Sequence, residues 1–344
     1  MYLFTVAGCL LGAVLTSLIC LNARTLSAYN GLIDRPDGMR KLHAIPTPLI
    51  GGLAIIVPAT LLAVAYIACV QAQRTLGIAV GAMAATALLG VIDDRIGLPV
   101  GRRLGVLAAI IAIASILEPA FVLHTLRLNF PKLEIFLDPV ATLATILIVI
   151  GFVNAANLAD GINGQFLGSI FVWCSFILVY APSERTPFLV LLSSTTVALI
   201  FNLRGKLFSG SVGSYALSLF IGLSTIALYR RSGGRFHAEV PVYWFWLPVL
   251  DCLRLFIWRA LHNRSPFSAD RSHIHHVLVR LVGDKKAVLI YLLLLAVPGT
   301  IAIFNEPAGL VGLVICGAIY LLVLSVEKLR AAHRVLAVKH TQSA

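Results

Sequence analysis

The chain has 344 residues, 59% of them hydrophobic and 12% charged, with a formal net charge of +12. That much apolar surface exceeds what a soluble domain of this length can bury, so a soluble globular enzyme is excluded and a polytopic membrane protein is indicated. The basic residues are spread over short loops rather than gathered in one domain, which excludes a nucleic-acid-binding module and reads instead as membrane orientation.

A spanning helix needs about 20 apolar residues. On that ruler the sequence predicts spans at 3–21, 49–70, 76–92, 104–123, 139–157, 162–181, 188–202, 213–229, 241–258, 287–304 and 308–326. The expected fold class is therefore an all-α polytopic membrane protein of about eleven transmembrane helices. It forms one integral-membrane domain over 1–326, followed by a basic cytoplasmic tail at 327–344. No basic stretch precedes the first apolar run, so that run is expected to be retained as a span rather than cleaved. The six cysteines, Cys9, Cys20, Cys69, Cys174, Cys252 and Cys316, all fall in or beside apolar segments without C-x-x-C spacing, which indicates neither a disulfide framework nor a zinc site.

Eleven alternating spans divide the loops into two sets. Twenty of the 27 Lys and Arg residues fall in one set and seven in the other. The positive-inside rule places the richer set in the cytoplasm, the N-terminus outside and the C-terminus inside. Arg230, Arg231 and Arg235 form a basic cluster on the opposite side that this arithmetic leaves unexplained.

The polar motifs fall on the cytoplasmic side, as if five clusters built one site between helix ends. The first is the loop Asp34-Arg35-Pro36-Asp37 through Arg40, Lys41 and His43, leading to Pro46, Pro48 and Gly51-Gly52. Its glycines would permit close helix approach, and its cations would meet a phosphate or the anionic leaflet. Asp93-Asp94 follows at the end of the third span. A carboxylate pair at a membrane boundary needs water, a cation or basic partners. It reads either as magnesium or phosphate chemistry or as a solvated helix end paired with Arg95, Arg102 or Arg103.

The third cluster, Asn154-Ala-Ala-Asn157-Leu-Ala-Asp160-Gly-Ile-Asn163-Gly164, interrupts a long apolar run. Three-to-four spacing lets Asn154, Asn157 and Asp160 face one way. Such oxygens suit magnesium held with a substrate phosphate; the alternative is a glycine turn with Asn and Asp as cap residues. Arg204, Lys206 and the small residues through Ser214 open the next span, where helix-start amides can receive phosphate oxygens.

The fifth cluster, Ser265-Pro-Phe-Ser-Ala-Asp270-Arg271-Ser-His273-Ile-His275-His276, holds three of the chain's nine histidines. If it enters a helix, His273 and His276 share a face and His275 points elsewhere. With Arg264, Arg271 and Arg280 nearby, an anion site is more natural than a metal site, because imidazole and guanidinium donors both serve phosphate oxygens.

In this order and spacing, the motifs resemble the polyprenyl-phosphate N-acetylhexosamine-1-phosphate transferases over residues 30 to 280. The histidine loop is closer to the WecA-type branch, which makes undecaprenyl-diphosphate N-acetylglucosamine, than to the MraY type of peptidoglycan synthesis. The resemblance implies a magnesium-dependent (or manganese-dependent) transfer of sugar-1-phosphate from a UDP-N-acetylhexosamine to undecaprenyl phosphate. It also implies the bacterial cytoplasmic membrane as location, with a homodimer left open.

By position, Asp93 and Asp94 match the family's acidic pair, with Asp93 a candidate proton acceptor. Asn157 matches a metal contact, as does Asp94, and Asp160 belongs to the same catalytic group. Lys41, His43, Asn154, Asn163, Lys206, Arg271, His273, His275 and His276 match substrate-binding positions. Two positions depart from the family's pattern. Ser211 stands where the family carries a magnesium-ligating Asp, and Asn163 stands where it often carries a second Asp. A weakened homologue that binds lipid phosphate or UDP-sugar without fast turnover is the alternative reading. A transporter fits less well, because its charges would sit near the bilayer midplane.

Overall fold

The computed structural model describes residues 2–36, 45–70, 74–181, 185–234, 236–265 and 271–342. The chain divides into two compact units, Met1–Val242 and Tyr243–Ala344.

The first unit opens with α1 (Tyr2–Leu21) and the short α2 (Ala23–Asn30). A two-residue ladder of β1 (Ile33–Asp34) with β2 (Thr47–Pro48) follows, pairing Ile33 with Pro48 and Asp34 with Thr47. Next come α3 (Gly51–Val70), α4 (Arg74–Ile96) and α5 (Val100–Leu117). An antiparallel hairpin of β3 (Thr125–Leu128) and β4 (Leu133–Phe136) leads to α6 (Ala141–Leu158), α7 (Gln165–Tyr180), α8 (Arg185–Leu203) and α9 (Gly210–Arg231). The helix α10 (Glu239–Leu261) begins in this unit and continues into the second. There α11 (Ile274–Val282), α12 (Asp284–Phe304) and α13 (Glu306–Gln342) complete the chain.

The protein is a multi-pass, helical membrane protein. Among the described residues, ten helices are long and apolar enough to cross a membrane. The expectation was about eleven, and every predicted span has a helix. The difference is α7, whose 16 residues rise only about 24 Å against a hydrocarbon core of about 30 Å. Its predicted N-terminal residues are spent in the turn at 160–164 instead.

Helix α9 organises the first unit. Sixteen of its 22 residues are buried, and it packs against α3, α4, α6 and α7. A helix apolar on all sides is expected at the centre of a bundle. Two glycines let its first turn come unusually close to its neighbours. A Cβ on Gly52 of α3 would lie 2.3 Å from the Gly213 nitrogen, and one on Gly90 of α4 would lie 2.4 Å from the Val212 Cα. Small residues at such crossings allow the backbone contact that holds membrane helices together. Gly52→Ala must therefore push α3 off α9. It is expected to cost about 1–3 kcal/mol, read as a lowered unfolding midpoint of the detergent-purified protein.

One member of the unexplained basic cluster finds a structural role here: Arg231 donates to the Thr75 hydroxyl, which itself donates to Glu118 Oε2 at 2.9 Å. In the second unit, α12 and α13 form an antiparallel pair, with Gly309 against Tyr243 and Ala302. The amphipathic α11 lays Ile274, Val277 and Leu278 inward and packs against α12 and α13.

Candidate active site

The first unit gathers its polar groups around the start of α9. Ser209 precedes this helix, yet its hydroxyl does not cap it and donates instead to Asp160 Oδ2. The orphan amides are taken by a carboxylate from another helix. Ser211 N–H donates to Asp94 Oδ1 at 2.9 Å, and Val212 N–H to Asp94 Oδ2 at 3.3 Å. An anion is favoured there both by the unpaired N–H groups and by the helix dipole. Gly210 makes the approach possible: its φ is +69°, and a Cβ would fall 2.5 Å from Asp94 Oδ2.

Two groups arrive from the end of α6. Asn157 Oδ1 accepts the Ser214 hydroxyl at 2.7 Å, and Asp160 follows just past the helix end. Asp160 keeps some accessible surface as a residue, while its carboxyl lies deep among protein atoms. That burial pushes its pKa up to about 7; the Ser209 hydrogen bond opposes the shift and the nearby Asp94 charge adds to it.

Asp93 faces a different set. Tyr215 OH donates to its Oδ2 at 2.8 Å and Leu98 N–H to its Oδ1 at 2.9 Å, while Arg103 stands 3.8 Å from Oδ2. The Arg103 guanidinium also lies over the Tyr215 ring, 5.6 Å from its centroid. The two readings of the acidic pair are thus divided between its members: Asp93 is the one paired with arginine, and Asp94 is the one turned to α9.

Sequence reasoning missed the residue that ties the loops together. Buried Asn202, near the end of α8, accepts the Gly164 N–H at 2.6 Å and donates to the Leu207 carbonyl at 2.8 Å. The glycine turn before α7 and the loop before α9 are fixed to each other by that one amide. An Asn inside an apolar span was the available signal. Tyr215 was missed as well, since nothing in its own neighbourhood of the sequence points to Asp93.

Other expected site residues stand apart. Asn154 is half-buried one turn earlier on α6 and joins none of these contacts among the described residues. Asn163 Nδ2 lies beside Gly205, and Lys206 is exposed with its ammonium 5.6 Å from the Phe201 ring centroid. Lys41 and His43 lie outside the described residues.

The histidines form a cluster of their own in the second unit. His273 is the N-cap of α11, in extended conformation, and its ring stacks on His275 with centroids 5.5 Å apart and planes at 6°. His275 then meets His276 at 4.2 Å. The expectation that His273 and His276 share a face while His275 points away is corrected here: the helix begins only at Ile274, so i, i+3 helical geometry does not apply to His273. Burial, with His276 and His273 adding to it, holds the His275 pKa well below the usual histidine range. Arg271 is exposed, and its carbonyl accepts from Arg280, which pairs with Glu327 at 2.7 Å.

Among the described residues no group of three His, Cys, Asp or Glu side chains is gathered closely enough to hold a metal ion. The donors that do gather are hard oxygens: the Asp94 and Asp160 carboxylates and the Asn157 amide. Magnesium commonly takes one or two carboxylates together with waters and substrate phosphates. Asp160 feels the charge of Asp94, and Asp94 that of Asp93, and no basic side chain among the described residues offsets Asp94 or Asp160. That imbalance fits a divalent cation. Ser211 can add only a neutral hydroxyl.

A membrane-embedded enzyme whose carboxylates and amides are drawn to one helix start is the class this arrangement defines. The family model described as glycosyl transferase family 4 matches residues 75–229, which contain Asp93, Asp94, Asn157, Asp160, Ser211 and Tyr215. The chain is 32% identical to the probable undecaprenyl-phosphate N-acetylglucosaminyl 1-phosphate transferase of Bacillus subtilis (strain 168), over 77% of this chain and 74% of that protein. It is 27% identical to the undecaprenyl-phosphate alpha-N-acetylglucosaminyl 1-phosphate transferase of Escherichia coli (strain K12), over 89% of this chain and 85% of that protein. Its counterpart from Yersinia pestis is also 27% identical, over 83% of this chain and 80% of that protein. The chain belongs to glycosyl transferase family 4 and is an enzyme of that class.

Proposed function

We propose that this enzyme transfers N-acetylglucosamine-1-phosphate from UDP-N-acetylglucosamine to undecaprenyl phosphate at the cytoplasmic face of a bacterial inner membrane, as an early step of cell-envelope polysaccharide synthesis. The reading is supported above all by one observation: Asp94 of α4, and Asn157 and Asp160 at the end of α6, meet residues 209–214 at the start of α9. The relatives' names support the substrates. Counted with α7 as a crossing, which the Ser211–Asp94 contact favours by bringing the loops at 93–103 and 203–212 to one side, the excess of twenty basic residues over seven supports an N-terminus outside.

In this reaction an oxygen of the lipid phosphate attacks the β-phosphorus of the UDP-sugar. The bond from that phosphorus to the bridging oxygen breaks, UMP leaves, and the lipid carries a diphosphate-linked sugar. Both reactants are anions, so catalysis consists mostly of neutralising and aligning them. Asp94, Asp160 and Asn157 would hold magnesium, which when bound offsets phosphate charge. The α9 contacts keep Asp94 aimed without side-chain rearrangement, and the Ser209 and Ser214 hydroxyls do the same for Asp160 and Asn157. Asp93, oriented by Tyr215 and Leu98, would take the proton of a protonated lipid phosphate. The histidine cluster would grip the nucleotide diphosphate.

The nucleotide product tests the reaction class. A panel of UDP-N-acetylglucosamine, UDP-N-acetylgalactosamine and UDP-glucose, each with undecaprenyl phosphate and magnesium, is expected to release UMP with the first substrate. Release of UDP would mean glycosyl rather than phosphosugar transfer and would contradict the proposal. UMP formation with only another sugar would correct the substrate and leave the chemistry standing.

A further inference from the structure

Asp251 was not among the expected site residues, yet among the described residues of the second unit it is a carboxylate with both oxygens engaged by several donors. It lies on α10 and is only 3% exposed. His273 Nδ1 stands 2.8 Å from its Oδ2, and the Ile274 N–H donates to both oxygens at 3.2 and 3.3 Å. Arg254 and the Tyr320 hydroxyl donate to Oδ1 at 2.8 and 2.9 Å. Arg254 reaches further, donating to Tyr320 OH at 2.7 Å and to the Ser272 carbonyl at 2.6 Å.

These contacts converge on one place in the chain. Residues 272, 273 and 274 are the last residue before the N-cap of α11, the N-cap itself and the first helical residue. His273 does not cap its own helix through its side chain, and Asp251 takes the first free amide in its place. An ionised carboxylate facing Nδ1 requires that nitrogen to carry the proton, which fixes both the tautomer and the plane of the His273 ring. His275 lies parallel to that ring and His276 packs on His275. His275 is buried, and His276 is the one of the three with more open surface.

We propose that Asp251 is the positioning residue of the histidine motif: by closing the first turn of α11 and fixing the Nδ1–H tautomer of His273, it sets the ring stack through which His276 meets a nucleoside diphosphate. This rests on the reading that the histidines grip the nucleotide. Asp251 itself touches no substrate. It acts as a ligand-orienting carboxylate does behind a metal-bound histidine, where loss of the orienting partner typically costs about 10- to 100-fold.

The test uses the full-length protein in detergent and UDP as probe. His276→Ala and Asp251→Asn are each expected to weaken UDP binding about tenfold or more. The double variant is expected to bind no worse than the weaker single one, because both changes act through the same ring. A residue that merely stabilised the fold would instead add its loss to that of His276→Ala. Unchanged UDP affinity in Asp251→Asn, or additive losses, would overturn the positioning role alone. Unchanged affinity in His276→Ala would contradict the underlying reading of the motif, and the proposal with it. Isotope-labelled histidine spectra of the wild-type protein give a readout that needs no variant to fold. They are expected to show His273 protonated at Nδ1, and an Nε2–H tautomer would overturn the proposal.

Discussion

Asp94→Asn is expected to lower sugar-phosphate transfer by about 1,000-fold, equivalent to about 4 kcal/mol of transition-state stabilisation. Two losses combine. The proposed magnesium site has two carboxylates, and the substitution neutralises one of them. The amide can also accept only one of the two N–H groups that Asp94 now takes, from Ser211 and Val212, and would point its own NH2 at the other. A donor facing a donor at a buried helix start costs about 1–3 kcal/mol, so the variant should unfold at a lower temperature as well. UDP binding separates the two effects, because the proposal assigns it to the histidine motif: an Asp94→Asn protein that still binds UDP but does not transfer has lost chemistry rather than fold. Transfer within about threefold of wild type would show that Asp94 does no more than cap α9.

Ser211→Asp is expected to act in the opposite direction on the metal. It restores an anionic oxygen at the first turn of α9, where the helix dipole favours negative charge, and should lower the magnesium concentration for half-maximal transfer by about tenfold. Without metal the same change is unfavourable. Asp94 and Asp160 already repel one another, and like charges about 5 Å apart repel by about 3 kcal/mol at an effective dielectric of about 20. The variant should therefore be less stable than wild type in a chelator and regain stability as magnesium is added. A magnesium dependence unchanged by Ser211→Asp would place the cation away from α9.

The spans were legible because a helix in lipid must satisfy its own backbone and show an apolar surface over about 20 residues, which leaves an unmistakable run. Where other forces set the boundary, the sequence was a poorer guide. The polar segment at 160–164 announces an interruption but not where it ends: Gly164 at φ +89° turns the chain, and α7 starts only at Gln165. The polar end of α13, through Gln342, lacks any apolar run to announce it. Strands β3 and β4, at four residues each, are too short for period-two alternation to stand out.

The site shows the same division. Asp93, Asp94, Asn157 and Asp160 were visible because polar groups at membrane depth are costly enough to demand a reason. Which atoms meet was not visible, since Ser209 on Asp160, Tyr215 on Asp93 and Asn202 across two loops are partnerships between distant segments. Asp251 is the instructive omission. A lone carboxylate within the apolar run 241–258 carries the same signal as Asp93 and Asp94, but its partners His273 and Tyr320 lie 22 and 69 residues away.

The proposed function requires that the first turn of α9, with serine at position 211, support turnover. The most direct measurement is transfer of labelled sugar phosphate from UDP-N-acetylglucosamine to undecaprenyl phosphate by the wild-type protein, with magnesium titrated and Ser211→Asp run alongside. Lipid-linked product and an equal amount of UMP are expected from the wild type, rising with magnesium and reaching saturation at lower magnesium in Ser211→Asp. No wild-type product at any magnesium concentration, with product from Ser211→Asp, would contradict it and leave a protein that binds these substrates without turning them over.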